Sequence, residues 1–152
     1  FRAEWCSNVP ASGVKLTSTL SMLMPELFET IRELITAGFF AELRKAKVQI
    51  IAPPIPVLLA VNGNRVVPSQ LAKDLKAMGF DLITWTFERA DLRQGGSKAG
   101  FYYDFDPMGA AVKSDSDMYK ALDVLAREVG ILGMFSDWPA TVTYYASCMR
   151  LK

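Results

Sequence analysis

The sequence predicts an α/β fold whose strands run parallel, arranged as part of a (β/α) barrel. A unit in which a helix end is followed at once by a short apolar strand recurs at residues 43–53, 75–85 and 125–135. In two of these units a glycine, Gly79 or Gly130, stands where a helix C-cap requires a left-handed residue. Helices between successive strands make those strands parallel and their crossovers right-handed.

The length of the chain limits how much of a barrel it can form. A closed TIM barrel of eight strands needs about 250 residues, and small examples about 200, whereas this chain has 152. We therefore predict a partial barrel in one domain or fragment, with residues 1–42 as an irregular stretch and a helix, and residues 43–152 as barrel units. The hydrophobic fraction of 51% fits strands covered on both faces, and equally a surface that meets another polypeptide.

The first part of the chain carries weaker signals. Residues 1–20 are rich in Ser and Thr, with a short strand predicted at 14–17. From Pro25 the apolar residues follow a helical period, and proline suits the first helical turn. Gly38 is expected to end or interrupt this helix, and residues 41–46 continue it.

Two further helices are predicted in the second part. The first covers residues 69–78 directly after Pro68, and the second covers residues 117–129. The Ser and Asp cluster at 114–117 can supply the N-cap of the second helix, because short polar side chains accept hydrogen bonds from the free N–H groups of the first turn.

A long connection, residues 90–113, leaves the carboxyl end of the strand that contains Trp85. Barrel active sites lie at that end of the strands, and connections of this length are usually functional or mobile. The aromatic run at 101–105 can stack on a ligand or a partner chain, or fold onto its own barrel rim. The run 95–98 lacks the spacing of a phosphate-binding loop.

Charge and hydropathy exclude several classes of partner. Seventeen basic and 16 acidic residues give a net charge of +1, which provides no field that would favour nucleic acid. The longest apolar run, residues 48–61, contains three prolines and is shorter than the 18 or so residues of a membrane helix. We therefore expect no transmembrane segment.

The chain begins with Phe1 and contains two cysteines, Cys6 and Cys148. The start suggests that a signal peptide has been removed or that the chain is a fragment. A disulfide between the two cysteines would imply an oxidising compartment, and two separate thiols are the alternative. These features favour a periplasmic or secreted protein, with a cytoplasmic one as the alternative.

Four segments together resemble a known family: the strand end at 50–54, the tryptophan strand at 83–88, the acidic helix start at 115–119 and the closing run at 133–142. They are similar to the C-terminal half of the glycerophosphodiester phosphodiesterase family, whose members are metal-dependent TIM barrels. The resemblance covers residues 43–152. It implies a lipid-metabolism hydrolase that converts a glycerophosphodiester and water to glycerol 3-phosphate and an alcohol.

The resemblance also implies what this sequence lacks. The family uses a divalent metal, Ca²⁺ or Mg²⁺, and two catalytic histidines, carried by a His-Arg-Gly and a Glu-x-Asp motif in the first half of the barrel. This chain has no histidine and neither motif. No catalytic residue is therefore assigned, most metal ligands are expected outside this chain, and the isolated chain is expected to be inactive. The catalytic part would lie on a missing N-terminal segment or on a companion N-terminal chain.

The resemblance implies substrate-side roles at two strand ends. Trp85 resembles an aromatic residue of the family's seventh strand that lines the pocket, and Asp137 with Trp138 resembles the end of the eighth strand. Phe87 and Glu88 complete the predicted substrate-binding set.

Each of these positions also has a structural interpretation. Trp85 and Phe87 share one face by strand alternation and can both fill the core. Glu88 can pair with a nearby cation, and Asp137 can cap the last helix, with Pro139 in its first turn.

A second function remains open from the residues alone. An open parallel sheet presents unpaired backbone groups at its edges, and the apolar content of this chain is high. A non-enzymatic half-barrel that forms a homo-oligomer or binds a protein partner is therefore the alternative to the hydrolase.

Overall fold

The computed structural model describes residues 37–87, 90–92 and 101–151, and the chain separates into two compact units, one from Glu4 to Val48 and one that contains Gln49–Lys152. The described part of the first unit is helix α1 (Ala37–Lys45). The helix predicted at 41–46 is confirmed as far as Lys45, and Gly38 is the second residue of α1. Whether Gly38 ends the helix predicted from Pro25 depends on residues outside the described part of the chain. The strand predicted at 14–17 and the helix predicted from Pro25 lie outside the described residues.

The second unit alternates strands and helices. Its strands are β1 (Ile50–Ile51), β2 (Leu59–Asn62), β3 (Arg65–Pro68), β4 (Asp81–Phe87) and β5 (Gly133–Ser136). Its helices are α2 (Ile55–Leu58), α3 (Gln70–Ala77), α4 (Met118–Asp123) and α5 (Pro139–Cys148). Short 3-10 turns occupy Phe101–Tyr103 and Asp115–Asp117, and α4 continues directly into a π-helical segment, Val124–Val129.

The main sheet has three parallel strands in the order β1, β4, β5. This confirms the α/β class with parallel strands. The described strands form an open sheet and do not close into a barrel. No helix among the described residues is long and apolar enough to cross a membrane.

The predicted helix ends follow local chemistry. Gly79 and Gly130 have φ angles of 80° and 70°, which confirms the left-handed C-caps. Ser69 caps α3, because its hydroxyl oxygen accepts a 3.0 Å hydrogen bond from the N–H of Ala72. Cys148 lies on α5 as an exposed free thiol, whereas Cys6 lies outside the described residues.

A hairpin of β2 and β3, which the sequence analysis did not predict, follows the first strand. Asn62 pairs with Arg65, so the loop contains only Gly63 and Asn64. Gly63 has a φ of 63°, as the first loop residue of a type II′ turn requires. The Asn-Gly-Asn run between two apolar segments was the signal for this turn.

The pairing of β4 with β5 changes which face the end of β4 presents. Thr84 pairs with Met134 but Phe87 pairs with Ser136, so three steps along β4 match two along β5. This irregularity reverses the alternation, and Phe87 is wholly buried, as are Leu82 and Thr84. The expectation that Trp85 and Phe87 share a face was wrong, because strand alternation holds only where the register is regular.

The start of α4 contains a nearly buried carboxylate, that of Asp117. It accepts hydrogen bonds from the backbone N–H groups of Lys113 and Ser114 at 2.9 and 3.0 Å, and it pairs with Lys120 at 2.6 Å. The cap predicted from the 114–117 cluster is confirmed as a capping box. Burial alone would raise the pKa of Asp117, but the hydrogen bonds and the lysine charge outweigh it and lower the pKa from 3.8 to about 2.

We expect Asp117→Asn to lower the free energy of unfolding by about 2 kcal/mol at pH 7. Because the folded-state pKa lies below the unfolded one, the stabilisation is complete above about pH 4 and is lost as the pH falls through about 2. Urea unfolding of both proteins at several pH values measures this difference. Asp115→Asn, at an exposed position in the same turn, is the control. A difference that stays constant from pH 7 to pH 2 would contradict the assignment.

Candidate functional site

Three aromatic rings meet near the carboxyl ends of β1 and β4. The ring centroid of Trp85 lies 6.4 Å from that of Phe101 and also 6.4 Å from that of Tyr102. The centroids of Phe101 and Tyr102 are 5.1 Å apart. Two of the three contacts are edge-to-face, which is a favoured arrangement of aromatic rings. All three side chains are partly exposed. We call Trp85, Phe101 and Tyr102 the aromatic wall.

The segment after β1 fixes the position of Trp85. The indole N–H of Trp85 donates a 2.7 Å hydrogen bond to the carbonyl of Ala52, and the hydroxyl of Thr84 donates a 2.9 Å bond to the carbonyl of Pro53. Pro54 forms a parallel bridge with Trp85. The polar group of the indole is therefore satisfied by the protein, and what the side chain offers a ligand is its apolar ring.

A buried carboxylate holds the loop that carries the other two rings. Asp106 is 1% exposed, and its carboxylate accepts hydrogen bonds of 2.7–2.8 Å from the backbone N–H groups of Ala110, Ala111 and Val112. The N–H of Asp106 donates to the carbonyl of Tyr103 at 2.9 Å. Tyr103 is itself wholly buried. These bonds tie the turn of Phe101 and Tyr102 to the core, so the wall is preformed.

The predicted substrate-binding residues lie in different environments, some exposed near strand ends and one buried in the core. Trp85 is part of the aromatic wall, whereas Phe87 is wholly buried and fills the core. Glu88 lies outside the described residues. Asp137 and Trp138 follow the carboxyl end of β5, and both are exposed, Trp138 by 68%.

The beginning of α5 shows that Asp137 does not cap this helix, contrary to the structural alternative given for it. Trp138, and not Asp137, is the residue that precedes the first helical position, and Pro139 takes that position as predicted. The N–H of Trp138 donates to the hydroxyl of Ser136 at 3.1 Å. The indole of Trp138 is therefore presented to solvent beyond the strand end.

Phe101 and Tyr102 are the members of the site that were not assigned from the sequence. They stand 16 and 17 residues after Trp85, across a loop whose path no local pattern defines. The signal was present in the aromatic run at 101–105, for which contact with a ligand and contact with the rim were both considered. The structure shows contact with Trp85 at the rim.

The described residues do not fit the divalent metal that the resemblance implies. Within residues 37–87, 90–92 and 101–151, no three His, Cys, Asp or Glu side chains lie close enough together to hold an ion. The two buried acids, Asp106 and Asp117, are already satisfied by backbone N–H groups. Calcium requires six to eight oxygen ligands, so Asp137 alone does not make a site.

Comparison with known proteins gives one relative. The chain is 42% identical over 113 residues to a protein of Arthroderma benhamiae named "Extracellular protein". The match covers 73% of this chain and 45% of the relative, so the chain spans less than half of the relative's length. No family model matches the chain. No solved structure matches it either.

Proposed function

We propose that this chain forms the substrate-side wall of a glycerophosphodiester phosphodiesterase-like (β/α) barrel. The reaction is hydrolysis of a glycerophosphodiester to glycerol 3-phosphate and an alcohol. The observation that carries the proposal is the aromatic wall, which stands at the carboxyl end of parallel strands, where such barrels build their pockets. The histidines and most ligands of a Ca²⁺ or Mg²⁺ ion would belong to a missing N-terminal segment or a companion chain, since this chain has no histidine.

The size of the relative supports a larger barrel. The 113 matched residues make up 45% of the relative, so its length is roughly 250 residues, which is typical of a closed (β/α) barrel. The helix–strand units of this chain would then form part of that barrel. The relative's name supports secretion of this chain.

We assign different roles to the two strand ends. Trp85, Phe101 and Tyr102 present an apolar surface, which suits the carbon skeleton of the substrate more than its phosphate. Trp138 and Asp137 lie at the end of the neighbouring strand β5 and would close the same rim, and Glu88 directly follows β4. Because the described rim has no histidine and no metal site, this wall binds and orients substrate.

The test joins this chain to the part of the fungal relative that the match leaves out. We expect the fusion to release glycerol 3-phosphate from glycerophosphocholine in the presence of Ca²⁺, and the 152-residue chain alone to release none. Trp85→Ala in the fusion should reduce kcat/KM by about 10-fold or more, since removing a well-placed aromatic contact costs 1–3 kcal/mol. Tyr144→Ala, at an exposed aromatic on α5, is the matched control.

Two results would overturn this proposal. One is a folded fusion that shows no turnover with Ca²⁺ or Mg²⁺. The other is turnover that Trp85→Ala and Tyr144→Ala reduce equally, because the aromatic wall would then have no special role.

A self-associating half-barrel remains the second candidate, supported by the exposed apolar side chains of the sheet. Ile50, Leu132 and Phe135 are 47%, 53% and 51% exposed on or beside the two outer strands. Native mass spectrometry of the purified chain distinguishes self-association from the proposed hydrolase role. A dimer that Phe135→Ser dissociates would favour self-association, and a clean monomer would count against it.

A further inference from the structure

A cleft lies among the hairpin turn, the α4 helix and α5, and it does not include any residue of the aromatic wall. Its volume is about 470 Å³, within the range of small-molecule sites. Residues of the β2–β3 turn form one side, and α4 with its π-helical continuation forms the other. Segments of π-helix inside α-helices occur frequently at functional sites.

Two of the four charged side chains that line this cleft, Lys120 and Asp123, are already paired within the protein. Lys120 pairs with Asp117 at 2.6 Å. The carboxylate of Asp123 accepts a 2.5 Å hydrogen bond from the hydroxyl of Tyr145 and lies 3.6 Å from Nε of Arg127. The bond from Tyr145 to Asp123 joins α5 to α4, and we take these paired groups to be less available to a ligand.

Two opposite charges in the cleft remain uncommitted. Within the described part of the chain, neither the side chain of Arg65 at the hairpin turn nor that of Glu128 on the π-helical segment has an ion-pair or hydrogen-bond partner. Both side chains are exposed. A guanidinium binds carboxylate or phosphate groups by paired hydrogen bonds, and a carboxylate accepts bonds from an ammonium group.

A pair of stacked tyrosine rings also lines this cleft. Tyr119 and Tyr145 stack with their ring centroids 6.3 Å apart and their planes 23° apart. Tyr145 is 7% exposed, and burial together with its bond to Asp123 raises the pKa of its hydroxyl. Tyr119 is the more exposed of the two rings, and a ring face attracts a cation.

We propose that this cleft binds a small zwitterion. Its carboxylate or phosphate lies against Arg65, and its ammonium group lies against Glu128 and the ring of Tyr119. The site is separate from the aromatic wall and does not depend on the proposed hydrolase function. The shared chemistry fits two sources, the phosphate–ammonium headgroup of a phospholipid product and a free amino acid.

The test is NMR titration of the 152-residue chain with O-phosphoethanolamine and, separately, with 4-aminobutyrate. We expect saturable shifts of the Tyr119 ring and Arg65 side-chain signals with at least one of them, at millimolar dissociation constants. Stronger binding of O-phosphoethanolamine would identify a phosphate headgroup as the ligand. Stronger binding of 4-aminobutyrate would identify a carboxylate ligand. Arg65→Gln and Glu128→Gln should each weaken binding by about five-fold, since exposed ion pairs contribute up to about 1 kcal/mol.

Three controls make the outcome decisive. Lys113→Gln removes an exposed positive charge outside the cleft and should leave binding unchanged. Inorganic phosphate alone and ethanolamine alone should each bind more weakly than the zwitterion. The proposal is overturned if neither zwitterion gives saturable shifts, if phosphate alone binds equally well, or if both cleft variants bind like the unmodified chain.

Discussion

Replacing Phe87 with alanine is expected to lower the free energy of unfolding by about 3–5 kcal/mol, the range for a fully buried phenylalanine. The reason is the reversed alternation at the end of β4, which places Phe87 at 0% exposure. Trp85→Ala should cost clearly less, because the Trp85 ring is partly exposed at the aromatic wall. Urea unfolding followed by far-ultraviolet circular dichroism measures both changes.

The conservative pair Phe87→Leu and Trp85→Phe provides the control for this comparison. Phe87→Leu keeps most of the buried area and should recover much of the lost stability. If the strand alternated regularly, Trp85 and Phe87 would lie on the same face, and their alanine variants would lose similar amounts of stability. Equal losses for the two alanine variants would therefore contradict the irregular pairing of β4 with β5.

Those parts of the fold that depend on neighbouring residues could be predicted from the sequence. The left-handed C-caps at Gly79 and Gly130 need only the residues of their own turns, and both are present. The acidic start of α4 is likewise a local arrangement, completed by Asp117. Parallel strand direction then follows from helices that alternate with strands, because each crossover helix brings the chain back to the end of the sheet at which the previous strand began.

The parts that could not be predicted depend on pairing between distant residues. The extra residue between Thr84 and Phe87 exists only relative to β5, which lies about 50 residues further along the chain. No periodic pattern within β4 alone can show it. The π-helical continuation of α4 also escaped prediction, since its residues have ordinary helical periodicity.

The candidate site was predicted in part for the same reason. Trp85 was assigned from the strand end and the family resemblance, both of which are properties of one segment. Its contact with Phe101 and Tyr102 depends on where the turn at Phe101–Tyr103 lies, and that turn is distant from Trp85 in the sequence. That turn is followed by the buried carboxylate of Asp106, which binds three backbone N–H groups and whose role no sequence pattern indicated.

Replacing Asp106 with asparagine is therefore expected to have the second large effect, a decrease of about 2–4 kcal/mol in the free energy of unfolding. An amide can present only one acceptor oxygen, so at least one of the three N–H groups now bonded to the carboxylate, two of them buried, loses its partner. Asp104→Asn, at an exposed position in the same loop, is the matched control and should change stability by less than about 0.5 kcal/mol. Both are measured by urea unfolding.

Asp106 is also expected to position the aromatic wall, and this role has its own readout. The near-ultraviolet circular dichroism of Trp85 depends on its packing against Phe101 and Tyr102, whose turn Asp106 holds through Tyr103. In Asp106→Asn this signal should weaken at temperatures where the far-ultraviolet spectrum is still native. If the two spectra change only together, as global unfolding requires, Asp106 stabilises the fold without positioning the wall. A preformed wall predicts that the near-ultraviolet signal is lost first, because the loop can separate from Trp85 while the parallel sheet remains intact.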